Sequence, residues 1–138
     1  MGEARIVSVV VQRPDGRVLI VQRSPRRRAM PGKWSVISGY IEEGESVSQA
    51  ATREVREEIA LEVVVEQMGA PFPVQVGEET LLIHPVLARA PADAAVTLDW
   101  ENQAYRWIAP EEVFDYPRVP GLEDDFIAVG LLPGSPHP

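Results

Sequence analysis

The chain has 138 residues, of which 13 are Lys or Arg and 21 are Asp or Glu, so its formal net charge is −8. This is the length of one ordinary domain, and we expect a single domain over residues 1–138 with a frayed tail at 131–138. The acidic balance disfavours binding of DNA or RNA through a bulk positive field. Because the chain contains no cysteine, disulfide and thiolate chemistry are excluded.

Targeting signals are not evident in the sequence. No apolar run approaches the roughly 18 residues needed to cross a bilayer, so we expect a soluble protein with no membrane partner. The first residues lack a charged segment followed by an apolar core and a small-residue cleavage site. A cytoplasmic location is therefore expected.

The first third of the chain predicts a β-hairpin followed by a basic loop. Two apolar segments, 5–11 and 17–22, flank the turn sequence Arg-Pro-Asp-Gly at 13–16. The loop at 23–33 then carries five of the chain's basic residues. In an acidic chain this concentration is a candidate anion site, and a solvated charge run is the equal alternative.

Three helices and several strands are predicted for the remainder. After a short strand at 34–41, Ser46 and Gln49 have the spacing of a capping box, and 47–60 lacks Gly and Pro, which predicts a helix of about 14 residues. Pro85 places one of the later strands toward a sheet edge or bulge. The other predicted elements are strands at 61–68, 80–89 and 104–108, a brief helix opening at Pro110, and a last helix at 122–131.

Acidic residues share the apolar face of the predicted helix 47–60. At 100° per residue, Glu54 and Glu58 fall inside the arc of apolar side chains and Glu57 falls on its border. Clustered, partly buried carboxylates repel one another and lose hydration unless a proton, an arginine or a metal compensates. Hard oxygen donors with no His or Cys nearby favour Mg²⁺ or Mn²⁺, which typically also bind substrate phosphate.

The alternative for this helix is a solvated acidic side. In that case Glu54, Glu57 and Glu58 would pair with Arg53 and Arg56 on the surface, as in most Glu-rich helices. The helical phase of Glu54 and Glu58 argues against this alternative, because it places them among the apolar side chains.

The spacing around the helix resembles a known motif. Gly39, Glu45 and the sequence Arg-Glu-Val-Arg-Glu-Glu at 53–58 match the Nudix box, Gly-x5-Glu-x7-Arg-Glu-aliphatic-x-Glu-Glu-x-Gly-aliphatic. The box extends from Gly39 to Leu61. Its usual second glycine is Ala60 here, a departure at the turn that leaves the helix, whereas the carboxylates are complete. The chain therefore resembles a Nudix hydrolase.

The resemblance implies a fold and a metal site. The fold would be an α/β/α sandwich with a mixed β-sheet between helices. Glu54, Glu57 and Glu58, together with the backbone carbonyl at Gly39, would hold Mg²⁺ or Mn²⁺, and Arg53 would orient a box glutamate. The metal would lower the pKa of the attacking water.

The general base is less defined, because Nudix enzymes use either a box glutamate or an acid from a later loop. Glu54 is our first choice and Glu101 the second, with Glu78 and Glu79 behind them. A surface-loop role is the alternative for the last three. For His84, which lies in an apolar run, a structural role is expected.

Substrate contacts are expected from the basic loop and from aromatic residues. Arg23, Arg28 and Lys33 are candidates for phosphate binding, and Arg23 is favoured because it ends a predicted strand. Tyr40, like Trp34 and Phe72, is a candidate for stacking on a base, although aromatics at strand positions more often belong to the core.

The resemblance implies a Mg²⁺-dependent pyrophosphohydrolase acting on a small molecule. Its substrate would be a nucleoside di- or triphosphate, or a nucleoside diphosphate linked to another moiety, and a homodimer would follow family habit. One alternative is a non-catalytic nucleotide-sensing module, against which the intact acids weigh. Another, an isoprenoid diphosphate isomerase, needs a catalytic cysteine that the chain lacks. Which nucleotide is cleaved stays open.

Overall fold

The computed structural model describes residues 4–135. Within these residues it has eight β-strands, two α-helices and one 3-10 helix. The strands are β1 (Ala4–Gln12), β2 (Val18–Arg23), β3 (Trp34–Ser35), β4 (Ile37–Tyr40), β5 (Val64–Met68), β6 (Phe72–Val76), β7 (Glu79–Arg89) and β8 (Asn102–Ile108). The helices are α1 (Val47–Ile59), the 3-10 helix (Pro110–Asp115) and α2 (Leu122–Ala128).

All eight strands form one mixed sheet with β1 in its interior. β1 pairs in parallel with β7 along its whole length, and its other edge is shared by β4 and the start of β2, both antiparallel. β5 and β6 pair with successive parts of β7, whereas β3 and β8 pair with β2. This arrangement brings the ends of β2, β4 and β8 toward α1.

The two faces of the sheet carry separate hydrophobic clusters. Alternate residues of β1 point to opposite faces, so that Val9 packs in the cluster with α1 and Val10 in the cluster with α2. The sheet is thus covered by α1 on one face and by α2 with the 3-10 helix on the other. The predicted α/β/α sandwich with a mixed sheet is confirmed. Among residues 4–135, no helix is long and apolar enough to cross a membrane.

Helix α1 begins and ends at defined caps. The Ser46 side chain accepts from the Gln49 N–H at 3.1 Å, and the Ser46 N–H donates to Gln49 Oε1 at 2.9 Å, which is the predicted capping box. At the other end, Ala60 has φ of +55° and its N–H donates to the Arg56 carbonyl at 3.0 Å. This left-handed conformation suits glycine and strains alanine.

Of the two alternatives predicted for Pro85, a sheet edge or a bulge, the edge is wrong, because β7 pairs with β1 on one side and with β5 and β6 on the other. A register shift lies beside β7, between Val65 and Gln67 of β5, and not at Pro85 itself. Pro85 lies where the partner of β7 changes: Val86 pairs with Met68 of β5, and Ile83 pairs with Phe72 of β6. The Pro85 carbonyl accepts the Gly69 N–H in this gap at 3.0 Å. The N–H that proline lacks falls in the same gap, so no ladder hydrogen bond is lost.

Other element boundaries also differ from those expected. The predicted strand 34–41 is divided into β3 and β4, β6 was not predicted, and α2 ends before 131. The expected fraying of 131–138 does not extend to Leu131 and Leu132. The Leu131 N–H donates to the Phe126 carbonyl at 2.9 Å, and Leu132 is buried in the α2 cluster. Residues 136–138 lie outside the described residues.

Candidate functional site

The carboxylate of Glu54 packs against the backbone of Gly39. Glu54 extends from the buried face of α1, and Gly39 lies in β4, where it pairs with Val7 of β1. A Cβ atom added to Gly39 would lie 2.1 Å from Glu54 Cδ, which no real pair of carbon atoms tolerates. The Glu54 carboxylate therefore occupies the space that a side chain at position 39 would need.

Glu58 is the most buried acid of α1, with 1% of its surface exposed. Asn102 Nδ2 donates to Glu58 Oε1 at 3.1 Å, whereas Glu58 Oε2 is buried and has no hydrogen-bond partner among residues 4–135. Burial, followed by the charge of Glu101, raises the pKa of Glu58 well above its usual range. One oxygen of this carboxyl group is therefore buried without a hydrogen bond from the described residues to offset its lost hydration.

Glu54 and Glu58 interact directly with each other. Burial raises the pKa of Glu54, against the opposing effects of its contact with Glu58 and its ion pair with Arg53. Two buried carboxyl groups in contact cannot both ionise cheaply without a cation. The carboxylate pair is thus a place where positive charge is stabilised.

Arg53 binds several groups around this pair. Its Nε and Nη2 donate to Glu45 at 2.6 and 2.9 Å, its Nη1 donates to Glu54 at 2.9 Å and to Glu57 at 3.3 Å, and Nη2 donates to the Tyr40 carbonyl at 3.0 Å. The hydrogen bonds from Arg53 lower the pKa of Glu45 to about 2. Arg53 therefore connects α1 to the segment between β4 and α1 and fixes the orientation of Glu54.

Glu57 lies at the rim of the site. Its side chain is 57% exposed and pairs with Arg53, in contrast to the buried Glu54 and Glu58. Among residues 4–135, no three His, Asp or Glu side chains converge closely enough to form a metal-binding group. The structure thus brings together Gly39, Glu54 and Glu58 and places Glu57 beside them on the surface.

The donor set of the pair fits a hard divalent cation. Glu54 and Glu58 present oxygen ligands only, and the unpartnered Oε2 of Glu58 is a buried acceptor with two negative charges around it. Glu57 is one i, i+3 step from Glu54 on the same helix and therefore lies on the neighbouring surface of α1. A bound cation would compensate the charge of these buried carboxylates.

The structure brings Glu101 to the buried carboxylates. Glu101 precedes β8 and is anchored through its carbonyl, which accepts the Ser24 N–H at 2.9 Å, and through its N–H, which donates to Asp99 Oδ1 at 3.0 Å. Its carboxylate pairs with Arg27 Nη2 at 3.4 Å. Burial is the main cause that raises the pKa of Glu101, and its charge in turn acts on Glu58.

The other acids and the histidine named from the sequence lie elsewhere. Glu78 is exposed in the turn between β6 and β7, and Glu79 is exposed at the start of β7. Neither is among the contacts that the described structure gives to Glu54, Glu58 or Arg53. His84 Nε2 accepts from Arg5 Nε at 3.4 Å, and partial burial lowers the pKa of His84. These contacts favour a structural role for His84.

Arg23, like Arg27 of the same loop, lies near the acids. Its N–H donates to the Lys33 carbonyl and its Nε to the Ala29 carbonyl, both at 2.9 Å. Burial lowers the pKa of Arg23, whereas the charges of Glu58 and Glu101 oppose this shift, which places the guanidinium near both. The side chains of Arg28 and Lys33 are exposed on the same loop.

The aromatic candidates separate into core and surface. Trp34 and Phe72 are 6% and 5% exposed and belong to the hydrophobic clusters, as aromatics in strands usually do. Tyr40, which follows Gly39, is 61% exposed. Of the three, Tyr40 alone is open to a ligand.

A cavity of about 160 Å³ adjoins the acidic site on the α2 side of the sheet. Arg23 and Ser38, the neighbour of Gly39, form the part of its wall nearest the acids. Asp125 of α2 lines the cavity, and its Oδ1 is buried without a hydrogen-bond partner among the described residues. Burial raises the pKa of Asp125 well above its usual range. The apolar walls include Ile6, Val36, Val74, Val76, Leu81 and Ile83.

Asp125 and Asn102 were not identified from the sequence. Asp125 lies three residues after Leu122 and one before Phe126, both buried, so the helical period of 122–131 could have placed it on the inner face. Asn102 carried no comparable signal, because its partner Glu58 lies 44 residues earlier in the chain.

Comparisons with known proteins identify the family of the chain. The family model described as NUDIX domain matches residues 2–128. The chain is 34% identical over 116 residues to a CTP pyrophosphohydrolase of Escherichia coli K12, covering 83% of this chain and 82% of that protein. It is 27% identical over 142 residues to the nucleoside triphosphatase NudI of the same strain, covering 96% and 100% of the two chains.

A solved structure shows the same fold. The MutT protein of Methanosarcina mazei superposes with a TM-score of 0.78 at 23% identity, covering 91% of each chain. The chain belongs to the NUDIX family. The predictions of a Nudix hydrolase and of an enzyme of the hydrolase class are thereby confirmed.

Proposed function

We propose that this protein is a Mg²⁺- or Mn²⁺-dependent pyrophosphohydrolase. It cleaves a phosphoanhydride bond in a nucleoside triphosphate, or in a nucleoside diphosphate linked to another moiety. The observation that carries the proposal is the contact of two buried carboxyl groups, Glu54 and Glu58, with Glu58 Oε2 left unpartnered among the described residues. The names of the relatives, a CTP pyrophosphohydrolase and a nucleoside triphosphatase, support it.

The cation would be held by carboxylates from one helix. Glu54 and Glu58 contribute from the interior and Glu57 from the rim, with the backbone carbonyl at Gly39 beside Glu54. When bound, the cation neutralises the diphosphate and lowers the pKa of an attacking water. Arg53 keeps Glu54 in one orientation and holds Glu57 within reach.

Two acids are placed to accept the proton of the attacking water. Burial raises the pKa of Glu54 and of Glu101 above the ordinary glutamate value, which is the direction that suits a general base. Glu54 remains our first choice because its carboxylate contacts that of Glu58 directly. Glu101 is the second, with its carboxylate restrained by Arg27.

The basic loop and the cavity suit the two ends of a nucleotide. Arg23, which lies near Glu58 and also lines the cavity, is placed to bind a phosphate, with Arg28 and Lys33 farther out on the loop. The apolar cavity walls and the buried carboxyl of Asp125 suit a flat, uncharged heterocycle with hydrogen-bonding edges. Tyr40 is exposed beside Gly39 and is available to stack.

Incubation with a panel of nucleotides tests the proposal. Nucleoside triphosphates and nucleoside diphosphate conjugates are supplied with Mg²⁺ in H₂¹⁸O, and the products are separated by mass spectrometry. We expect hydrolysis of at least one class, ¹⁸O in a single phosphate product, and loss of turnover with EDTA. Folded protein that hydrolyses none of them, or turnover that EDTA leaves unchanged, contradicts the proposal.

A further inference from the structure

Asn102 is a buried polar residue with no role in the chemistry described above. It is the first residue of β8 and is 4% exposed. It pairs with Arg23 of β2 at a point where the register of the two strands shifts between Gln22 and Arg23. Such irregularities re-aim side chains at the ends of strands, and this one turns Asn102 toward α1.

Within residues 4–135, the side chain of Asn102 forms a hydrogen bond with Glu58. Asn102 Nδ2 lies 3.1 Å from Glu58 Oε1. A carboxylate accepts hydrogen bonds, so the amide nitrogen and not the amide oxygen must face it. Asn102 Oδ1 is consequently directed elsewhere, and it is buried without a partner in the described structure.

Within residues 4–135, the two residues thus leave two buried acceptors without a hydrogen-bond partner, Glu58 Oε2 and Asn102 Oδ1. Asn102 satisfies Glu58 Oε1 at the cost of burying its own unpaired Oδ1, and a purely structural role does not account for that unpaired oxygen. A role toward a bound ligand explains it well. The hydrogen bond occupies Glu58 Oε1 and leaves Oε2 as the oxygen available for a cation.

We propose that Asn102 is a positioning residue that sets the metal affinity of the site through Glu58. This inference rests on the proposed function, because it assumes that Glu58 binds a divalent cation. By holding Oε1, the amide fixes the plane of the Glu58 carboxylate before the cation arrives. Residues that orient a metal ligand in this way typically change metal affinity 10- to 100-fold when they are replaced.

The test is a titration of Mn²⁺ into nucleotide-free protein, followed by electron paramagnetic resonance of the free ion. Asn102→Leu should weaken Mn²⁺ binding by about 10- to 100-fold. Asn102→Gln, which keeps the carboxamide, should bind more tightly than Asn102→Leu. Gln103→Leu is the matched control, since Gln103 is the exposed neighbour in β8, and its Kd should stay within about twofold of wild type.

A second measurement on the wild-type chain keeps the inference testable if Asn102→Leu does not fold. The side-chain NH₂ signals of Asn102 in the ¹⁵N NMR spectrum should shift when Mg²⁺ is added and should also shift in Glu58→Gln. A structural asparagine remote from the ligand would show no response to Mg²⁺.

The outcomes separate this inference from the proposed function. Wild-type uptake of Mn²⁺ with an unchanged Kd in Asn102→Leu, or Asn102 signals that ignore saturating Mg²⁺, overturns the role of Asn102 alone. Absence of Mn²⁺ uptake by the wild-type protein overturns both the metal site and the inference built on it.

Discussion

The carboxylate of Glu54 occupies the space that a side chain at Gly39 would fill. This contact joins the middle of α1 to β4. Glu54 can take its position because Gly39 has no side chain. The first glycine of the Nudix box therefore has a steric reason in this structure, in addition to the backbone carbonyl that it presents.

Gly39→Ala should displace the Glu54 carboxylate and leave the fold intact. The new Cβ would lie 2.1 Å from Glu54 Cδ, and the end of a glutamate side chain can move more easily than the paired strand. Because displacements of about 1 Å can cost 10²-fold in rate, we expect kcat to fall by about 10². Steady-state kinetics together with thermal unfolding check this. Unchanged kcat in a folded variant would show that the position of Glu54 is not critical.

Ala60→Gly should stabilise the protein without changing its activity. Ala60 ends α1 with φ of +55°, a conformation that costs an L-residue roughly 1–2 kcal/mol. The greater freedom of glycine in the unfolded chain offsets about 0.4–1 kcal/mol of this gain. A net increase of about 0.5–1 kcal/mol in the free energy of unfolding is expected from urea titration. A decrease would mean that the left-handed cap is not populated.

Asp125→Asn should remove a pH-dependent loss of stability. Burial raises the pKa of Asp125 in the folded protein above its ordinary value of 3.8, so the folded state retains a proton that the unfolded state releases. As pH rises from about 4 toward the folded pKa, this group therefore lowers the free energy of unfolding, by at most about 1.4 kcal/mol per pH unit.

The comparison is made by thermal unfolding across pH 4 to 8 for wild type, Asp125→Asn and the exposed control Asp93→Asn. We expect Asp125→Asn to be the more stable protein at pH 7 and to have the flatter pH profile, with Asp93→Asn following wild type. A destabilised Asp125→Asn at pH 7 would indicate that Asp125 is ionised in the folded state.

Glu54→Gln should reduce kcat more than Glu101→Gln. Glu54 contacts both Glu58 and Arg53, whereas Glu101 acts on the pair through its charge. The pH dependence of kcat for both variants, at saturating Mg²⁺, distinguishes a lost base from a lost neighbouring charge. If Glu101→Gln is the more damaging change and removes the acidic limb of the profile, Glu101 is the general base.

Local patterns in the sequence were sufficient for the helix that carries the site. The capping box of α1 depends on Ser46 and Gln49, which are three residues apart. The helical period places Glu54 and Glu58 on the buried face of α1. These features need no knowledge of the rest of the chain. The motif then supplied the fold, because its spacing is specific to one family.

The parts of the site that the sequence did not reveal are contacts between distant segments. Asn102 reaches Glu58 across 44 positions, and Asp125 faces Ser8 from the opposite layer of the sandwich. β6 was missed because Pro73 interrupts a short segment whose strand pairing comes entirely from β7 among the described residues. Glu57, which the helical phase placed on the border of the apolar arc, lies at the exposed rim of the site and pairs with Arg53.

The central claim is that Glu58 and its neighbours hold a divalent cation that hydrolysis requires. The most direct measurement is kcat at saturating Mg²⁺ for Glu58→Gln and Glu57→Gln, with Glu62→Gln as the control, since Glu62 is an exposed acid paired to Arg56 outside the site. We predict that the first two lose at least ~10² in kcat with unchanged secondary structure, and that Glu62→Gln retains wild-type turnover. Undiminished turnover in both Glu58→Gln and Glu57→Gln would contradict the account.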